Sequence, residues 1–563
     1  MLIVLFAKEL VRNYMHNIID QIKSDFFSFL SSIYPTISFD GNPHAFVLNT
    51  DDKKKEFGDI NSNVALVIAK NIKKNPHNVA SEIIERFRHA HVFEIQIVGP
   101  GFLNFFFTTE AVKALYSELF LHKAAFFQTK QDKKLRINIE FVSANPTGPL
   151  HFGHGRGGII GDTLSRVFTL LGHEVTKEFY INDAGAQIQK LGESFKARCL
   201  QQIGINAAVP EEGYQGDYLV DLASEYVAGN RAITEQPDSF FATYAQDKLL
   251  SVMKNTLVQY RIMFDTWFSE KTLRTDGSIK QVLAELRQKG FLYFQDDAWW
   301  FCATTFGDDK DRVVERSNGE LTYIAADIAY LQNKINRKFD KLIMILGHDH
   351  HGYVRRLHAS LNALGYQSDL LDVILYQLVK ITKEGELVRM SKRAGHIVTL
   401  QDIIDTVSAD VARFFYLYKK TDSPLEFDLE LALKKSEENP VFYLQYAYVR
   451  CMSVLKKSES YDEFKNISVA DISVITDEER TLLRKICVLK YVLQDIAMNY
   501  HTHLVAQATL DIAASFHHYY AKHIILDAEN VAQSRSRLFV VICVKEVFEL
   551  LFDLLGISAP VKM

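Results

Sequence analysis

Residues 136–181 read RINIEFVSANPTGPLHFGHGRGGIIGDTLSRVFTLLGHEVTKEFYI. Arg136 to Val142 is a short β-rich run that ends in a Pro/Gly turn, Asn145-Pro146-Thr147-Gly148-Pro149. Beyond the turn, Ile160, Leu164, Val167, Phe168 and Leu171 recur three and four apart, which predicts a helix with Gly172 as its stop. Glu174 to Ile181 reads as a second strand. Strand, turn, helix, strand is the signature of a βαβ unit, and so of an α/β fold with a parallel sheet.

Between the turn and the helix stands His151-Phe152-Gly153-His154. Two imidazoles and several backbone N–H groups at a helix N-terminus form a ready site for an anion. Such donors can follow the shifting charge of a phosphate during displacement. Gly153 lets a ligand approach the backbone, and Gly155, Gly157 and Gly158 are expected to add to that freedom. A G-x-G-x-x-G dinucleotide loop would leave the two histidines unexplained.

Outward from this unit, Lys341 to Leu346 and Val373 to Ile381 are further buried-strand candidates, with a long insertion at roughly 190–310. From about 425 the pattern is helical to the end, without a strong strand signal. The first 110 or so residues read as a small mixed module. Its helical periodicity lies around 8–32 and 60–72, and alternating strands at 92–98 and 102–107 are joined by Gly99-Pro100-Gly101. Gln128 to Lys134 suits a linker. The expected organisation is a small α+β module at 1–112, a parallel-sheet module at 130–424 carrying the insertion, and an all-α helical bundle at 425–563.

The 563 residues are 48% hydrophobic and 24% charged, with a net charge of -5, the balance of an ordinary globular chain of about three to four modules. A small DNA-coating protein would be strongly basic, so any nucleic-acid contact here must be local and shape-based. The five cysteines, Cys199, Cys302, Cys451, Cys487 and Cys543, form no C-x-x-C pair, so neither a disulfide framework nor a zinc ribbon is expected. Scattered reduced thiols fit the cytoplasm. Met1 to Ala7 is apolar but is broken by Lys8 and Glu9, without the basic start of a signal peptide. No run of about 18 apolar residues predicts a membrane span.

A second chemical feature is Arg389-Met390-Ser391-Lys392-Arg393, in a loop after a candidate strand. A basic loop can close over a triphosphate and neutralise charge on departing pyrophosphate. The phosphate-binding turn comes first, and the basic loop follows some 240 residues later.

That ordered pair resembles the HIGH and KMSKS signatures of class I aminoacyl-tRNA synthetases. Longer stretches resemble the arginyl family in particular: 140–154, 180–185, Phe264-Asp-Thr-Trp-Phe-Ser-Glu270, 323–330, Gly347-His-Asp-His-His-Gly-Tyr353, 439–446 and the ending 555–560. They span nearly the whole chain in family order. The resemblance implies a Rossmann-like catalytic domain, an N-terminal domain at the tRNA elbow and a C-terminal anticodon-binding bundle. It implies an enzyme that activates L-arginine with ATP and loads it on the 2′-hydroxyl of its tRNA.

Residue by residue, the resemblance implies that His151, His154 and Lys392 carry the catalysis. ATP would meet Pro146, Thr147, Gly148, His151, Gly153, His154, Gly347, Asp349, Met390, Ser391, Lys392 and Arg393. Arginine would meet Glu140, Asn145, Tyr323 and Asp327. A guanidinium is planar, always charged and offers five donors, so carboxylates are its strongest partners. If 323–330 is helical, Tyr323 and Asp327 share a face. Phe102, Asn104, Tyr443, Tyr446 and Met563 match the family's tRNA contacts, where stacking and base-edge hydrogen bonds would act. Phe105 and Phe107 read instead as a strand's core face. Mg²⁺ is expected to arrive with ATP, held mainly by phosphates, and no permanently bound metal is expected from His348 to His351. A monomer is the family expectation. One departure stands out: Arg389 replaces the first lysine of the basic signature, a fork in place of a point charge.

Two other readings stay open at this point. A small-molecule nucleotidyltransferase also uses an H-x-G-H turn, although such enzymes are usually one compact domain. A non-catalytic tRNA- or protein-binding relative should have lost the histidines or Lys392, which are present here.

Overall fold

The structure is a computed structural model and describes residues 18–39, 42, 44–49, 57–128, 133–229, 233–387, 398–473 and 475–563. At its centre lies a five-stranded parallel sheet of β1 Arg136–Glu140, β2 Glu174–Ile181, β3 Thr266–Ser269, β4 Lys341–Gly347 and β5 Leu371–Tyr376. The strand order is β5-β4-β1-β2-β3. The chain leaves β1 in one direction for β2 and β3 and returns on its other side for β4 and β5. A crevice therefore opens beyond the C-terminal ends of β1 and β4, where open α/β sheets hold ligands.

The helix after β1 spans Phe152–Leu170 and is buried over most of its surface. Its glycines serve packing. A Cβ on Gly155 would lie 2.7 Å from Leu400 Cδ1, one on Gly157 2.6 Å from the Tyr376 ring, and one on Gly161 2.3 Å from the Phe141 ring. Gly158 is faced by Ile262 and Val142. The expectation that Gly155, Gly157 and Gly158 leave room for a ligand is corrected: side chains of this chain occupy those faces.

Three further expectations are corrected. The stretch Val373 to Ile381 is not one strand. β5 stops at Tyr376, and Val379–Lys383 belongs to a separate small sheet, between Glu386–Leu387 and Leu425–Asp428. Buried Arg156 pins the bend between them by donating to the carbonyls of Gln377, Ser423 and Lys420. The chain after 425 therefore begins with a strand rather than a helix. The insertion expected at 190–310 is interrupted as well. Helices Ala186–Gln202, Asp217–Ala228 and Asp238–Gln259 close around their own core of Leu191, Phe195, Tyr226 and Phe241. β3 then returns to the central sheet before a second excursion, which carries Ser278–Gln288 and a three-stranded antiparallel sheet.

The N-terminal part is a four-stranded antiparallel sheet backed by helices, with Phe105 and Phe107 on its core face. Residues 60–72 begin as a strand, Ile60–Ser62, before the expected helix Val64–Ile72. The C-terminal part packs helices Pro440–Ser458, Asp477–Asn499, His503–Lys522 and Val531–Leu555. Their ends carry the expected signals. Asn439 caps the first with Pro440 at its first position, and Thr476 and Glu479 form a reciprocal cap on the second. Gly556 ends the last with φ +65°. Among the described residues, no helix is long and apolar enough to cross a membrane.

Candidate active site

His151 is the N-cap of the helix Phe152–Leu170, and His154 sits in its first turn. The backbone N–H of His151 donates to Nδ1 of His154 at 3.2 Å. With Nδ1 accepting, the ring proton of His154 stands on Nε2. The two imidazoles stack with centroids 3.6 Å apart. A Cβ on Gly153 would lie 3.1 Å from the His151 ring, so the glycine makes room for that stack. The turn before the helix is held from the inserted helices: the Tyr218 hydroxyl donates to the carbonyl of Thr147 at 2.7 Å and lies over Gly148.

The residues that follow the basic signature reach this turn. Phe152 N–H donates to the carbonyl of Val398 at 3.1 Å, Leu400 N–H donates to that of Leu150 at 2.7 Å, and Thr399 bridges to His151. Arg389, Met390, Ser391, Lys392 and Arg393 themselves lie outside the described residues. Gly347 closes β4, and a Cβ there would meet Asp349 Oδ1 at 2.5 Å, so glycine lets that carboxylate fold back over the strand end.

Glu140, Asn145, Tyr323 and Asp327 line one cavity of about 370 Å³ at the C-terminal ends of the strands. The helix Tyr323–Asn336 forms one wall, so Tyr323 and Asp327 do share a face. After β1 the backbone turns through Val142 and Ser143 at φ 67° and 39°, a region that side chains other than glycine seldom adopt. Strain of this kind collects at functional sites. Here it brings Ser143 Oγ to Glu140 Oε1 at 3.1 Å while that hydroxyl accepts from the N–H of Tyr180.

Sequence reasoning missed several lining residues, among them Glu270, Tyr180, Tyr353 and Arg356. Glu270 and Tyr180 stand at the ends of β3 and β2, so the rule that ligands gather at parallel strand ends could have found them. Glu270 Oε1 accepts from Nε and Nη2 of Arg274 at 2.9 and 2.7 Å. Burial, with Glu270 beside it, pushes the Tyr180 hydroxyl far up, so it stays a neutral donor.

Like Glu140 Oε2, which has Lys334 Nζ at 3.0 Å, Asp327 Oδ2 is buried without a hydrogen-bond partner. Burial raises its carboxyl to about 7, against the lowering pull of the Tyr353 hydroxyl and the Arg356 guanidinium. A cation entering the cavity would supply the missing donors and favour the ionised form.

The outer residues are placed as follows. Phe102 is exposed, whereas Asn104 is buried beside it, paired across the sheet with Asn61 and Gln96. Tyr443 and Tyr446 lie half-buried on the helix Pro440–Ser458, both against the His517 ring at 4.4 and 5.9 Å. Arg450 covers Tyr446 at 4.4 Å and bonds His517. Met563 is exposed at the chain end.

Comparison with known proteins bears on this geometry. The family model described as tRNA synthetases class I (R), catalytic domain, matches residues 116–415, which contain the whole parallel sheet and the histidine turn. The protein is thus a class I aminoacyl-tRNA synthetase. The arginyl-tRNA synthetase N-terminal domain model matches residues 17–107, and the DALR anticodon binding domain model matches 444–563. An arginine–tRNA ligase of Desulforamulus reducens is 41% identical over 91% of this chain and 92% of its own, and one of Anoxybacillus flavithermus is 37% identical over 97% and 100%. The chain belongs to the arginyl-tRNA synthetase family. The solved structure of Thermus thermophilus arginyl-tRNA synthetase shares the fold, with a TM-score of 0.73 at 21% identity, over 97% of this chain and 100% of that one.

Proposed function

We propose that the protein activates L-arginine with ATP and transfers it to the 2′-hydroxyl of the terminal ribose of its tRNA, releasing pyrophosphate and then AMP. The observation that carries this reading is the buried, partnerless oxygen of Asp327, in a cavity that Glu140 and Glu270 also line. Such a cavity suits a planar cation with several donors. Glu140, Glu270 and Asp327 hold the guanidinium, Tyr323 covers it, and Asn145 holds the α-amino or carboxylate end. The substrate carboxylate then attacks the α-phosphorus in line. His151 and His154 stabilise charge on the transferring group, and Lys392 stabilises departing pyrophosphate. Val398 follows Lys392 by six residues, a reach of at most about 20 Å, and is bonded beside the histidines, which supports that role. The Pro146-Thr147-Gly148 turn and Gly153 border the triphosphate, while Gly347 and Asp349 lie toward its nucleoside. Of the cavity's acids, Glu140 and Glu270 are tied to Lys334 and Arg274, so a magnesium ion would be held by the phosphates of ATP and by water.

The division into 1–112, 130–424 and 425–563 assigns the tRNA elbow to the first part and the anticodon to the last. Exposed Phe102 serves the first contact, with buried Asn104 behind it in the sheet, and Tyr443, Tyr446 and Met563 the second. The protein acts as a monomer in the cytoplasm. Arginine-dependent ATP–pyrophosphate exchange, measured with and without cognate tRNA, tests the reaction. Exchange driven by another amino acid, or none even with tRNA, defeats it. In the same assay Lys392→Ala lowers adenylate formation about tenfold to a hundredfold with arginine binding nearly intact, the loss expected when one charge beside the departing pyrophosphate is removed. Near-normal exchange would remove Lys392 from the mechanism.

A pH dependence follows from Asp327, whose carboxyl is raised from 3.8 to about 7. The folded protein holds that proton more tightly than the unfolded chain. This stabilising contribution is full at low pH and is lost as pH rises through about 7. Arginine needs the ionised form, so its KM climbs toward tenfold per pH unit below about 7. The KM for ATP serves as the internal control. An arginine KM that is flat between about pH 6 and 8 contradicts this role for Asp327.

A further inference from the structure

We propose that Lys334 is a positioning residue for the arginine pocket, which it serves by holding Glu140 as a fixed acceptor through a buried link to Glu178. The inference rests on the reading of Glu140 as a substrate contact and adds the residue that acts behind it.

Tyr323, Asp327, Tyr330 and Lys334 follow one another at spacings of four, three and four on the same helix, and so share one face. The first three line the cavity, and Lys334 runs beneath it with its side chain fully buried. Its Nζ lies 3.0 Å from Glu140 Oε2 and 2.8 Å from Glu178 Oε1, and donates to Asn138 Oδ1. Glu140 and Glu178 are register partners on the parallel strands β1 and β2. Two buried carboxylates side by side would repel strongly in a medium of low polarity. Lys334 stands between them.

Glu178 does not compete for the whole of that charge. It accepts also from both Nη groups of Arg337 and from the Tyr330 hydroxyl. Burial alone would raise its carboxyl, but Lys334, Arg337 and Tyr330 bring it down to about 2. Two acids thus face two bases below the cavity, and Lys334 fixes the Glu140 carboxylate in place before any substrate arrives. Ser143 holds the other oxygen of Glu140. A carboxylate offers about four acceptor sites, so both oxygens can still receive substrate donors.

The test is a double-mutant cycle in ATP–pyrophosphate exchange with the full-length protein. Lys334→Met raises the KM for arginine about tenfold to a hundredfold, with the KM for ATP within about twofold, and Glu140→Gln has a similar effect. The double variant exceeds Glu140→Gln alone by no more than about threefold, because Lys334 acts through Glu140. Lys334→Arg keeps the charge and restores much of the loss. Thermal melting checks folding. If Lys334→Met does not fold, Lys334→Gln takes its place, and if both fail, the part of the loss that Lys334→Arg does not restore must fall on the arginine KM and not on the ATP KM. Multiplying effects in the cycle, or a loss of kcat at unchanged arginine KM, overturn the role of Lys334 and leave the pocket reading standing. An unchanged arginine KM in Glu140→Gln overturns both.

Discussion

Replacing His154 with alanine lowers the rate of adenylate formation about 10²- to 10³-fold, with the arginine KM within about threefold of its original value. The expected size is that of removing one preorganised donor from a developing negative charge. His154 is preorganised in three ways. Its Nδ1 accepts from the backbone of His151, which leaves the proton on Nε2. Its ring lies 3.6 Å from that of His151. Its backbone belongs to the first turn of a buried 19-residue helix, whose partial positive end faces the same anion. Because each ring supports the other, replacing both should cost less than the product of the single effects. Single-turnover adenylate formation at saturating arginine separates this loss from weaker binding. An unchanged rate, or a loss confined to arginine KM, would take His154 out of the chemistry.

The first βαβ unit was legible because its signals are local. The predicted strand Glu174 to Ile181 is β2, and Gly172 does follow the helix end. Shorter elements were not legible. β3 and Leu425–Asp428 have four residues each, too few to show a period, and both take their place only through partners distant in sequence. The glycines after His154 misled for a related reason. A Gly-rich helix start near a phosphate turn suggests an approaching ligand, yet Leu400, Tyr376 and Ile262 fill those faces, and nothing local to residues 155–158 names them. In the pocket, Glu140, Asn145, Tyr323 and Asp327 were assigned by resemblance, and the structure brings them to one cavity. Glu270 sat unremarked in a quoted segment, and Lys334 gains meaning only when β1 and β2 set Glu140 beside Glu178.

Arg413→Met should be among the most destabilising single changes in the molecule, costing about 3–5 kcal/mol, because it breaks a buried ion pair from one side. Arg413 and Asp162 are both fully buried, with Nη2 and Oδ2 2.7 Å apart. Asp162 lies on the helix that carries the histidines. Arg413 also donates from Nε to the carbonyl of Leu555 and from Nη1 to that of Tyr260, each at 2.7 Å. Methionine fills much of the volume but leaves two carbonyls and part of a carboxylate without donors. Leu555 ends the last helix of the C-terminal bundle, so the guanidinium joins that helix end to the catalytic helix through one side chain. Gly556, next in the chain, has φ +65°, and a Cβ there would lie 2.3 Å from the same guanidinium. Gly556→Ala should therefore act in the same direction, through both strain and collision. Burial alone would raise the Asp162 carboxyl, but Arg413, Arg166 and Lys177 outweigh it and hold it below its ordinary 3.8. Its contribution to stability is thus present at neutral pH and fades as pH falls below about 4. Thermal melting should show both variants unfolding several degrees lower, and heat inactivation of pyrophosphate exchange should move with it. If Arg413→Met melted like the original protein, the buried pair could not be what ties the histidine helix to the bundle.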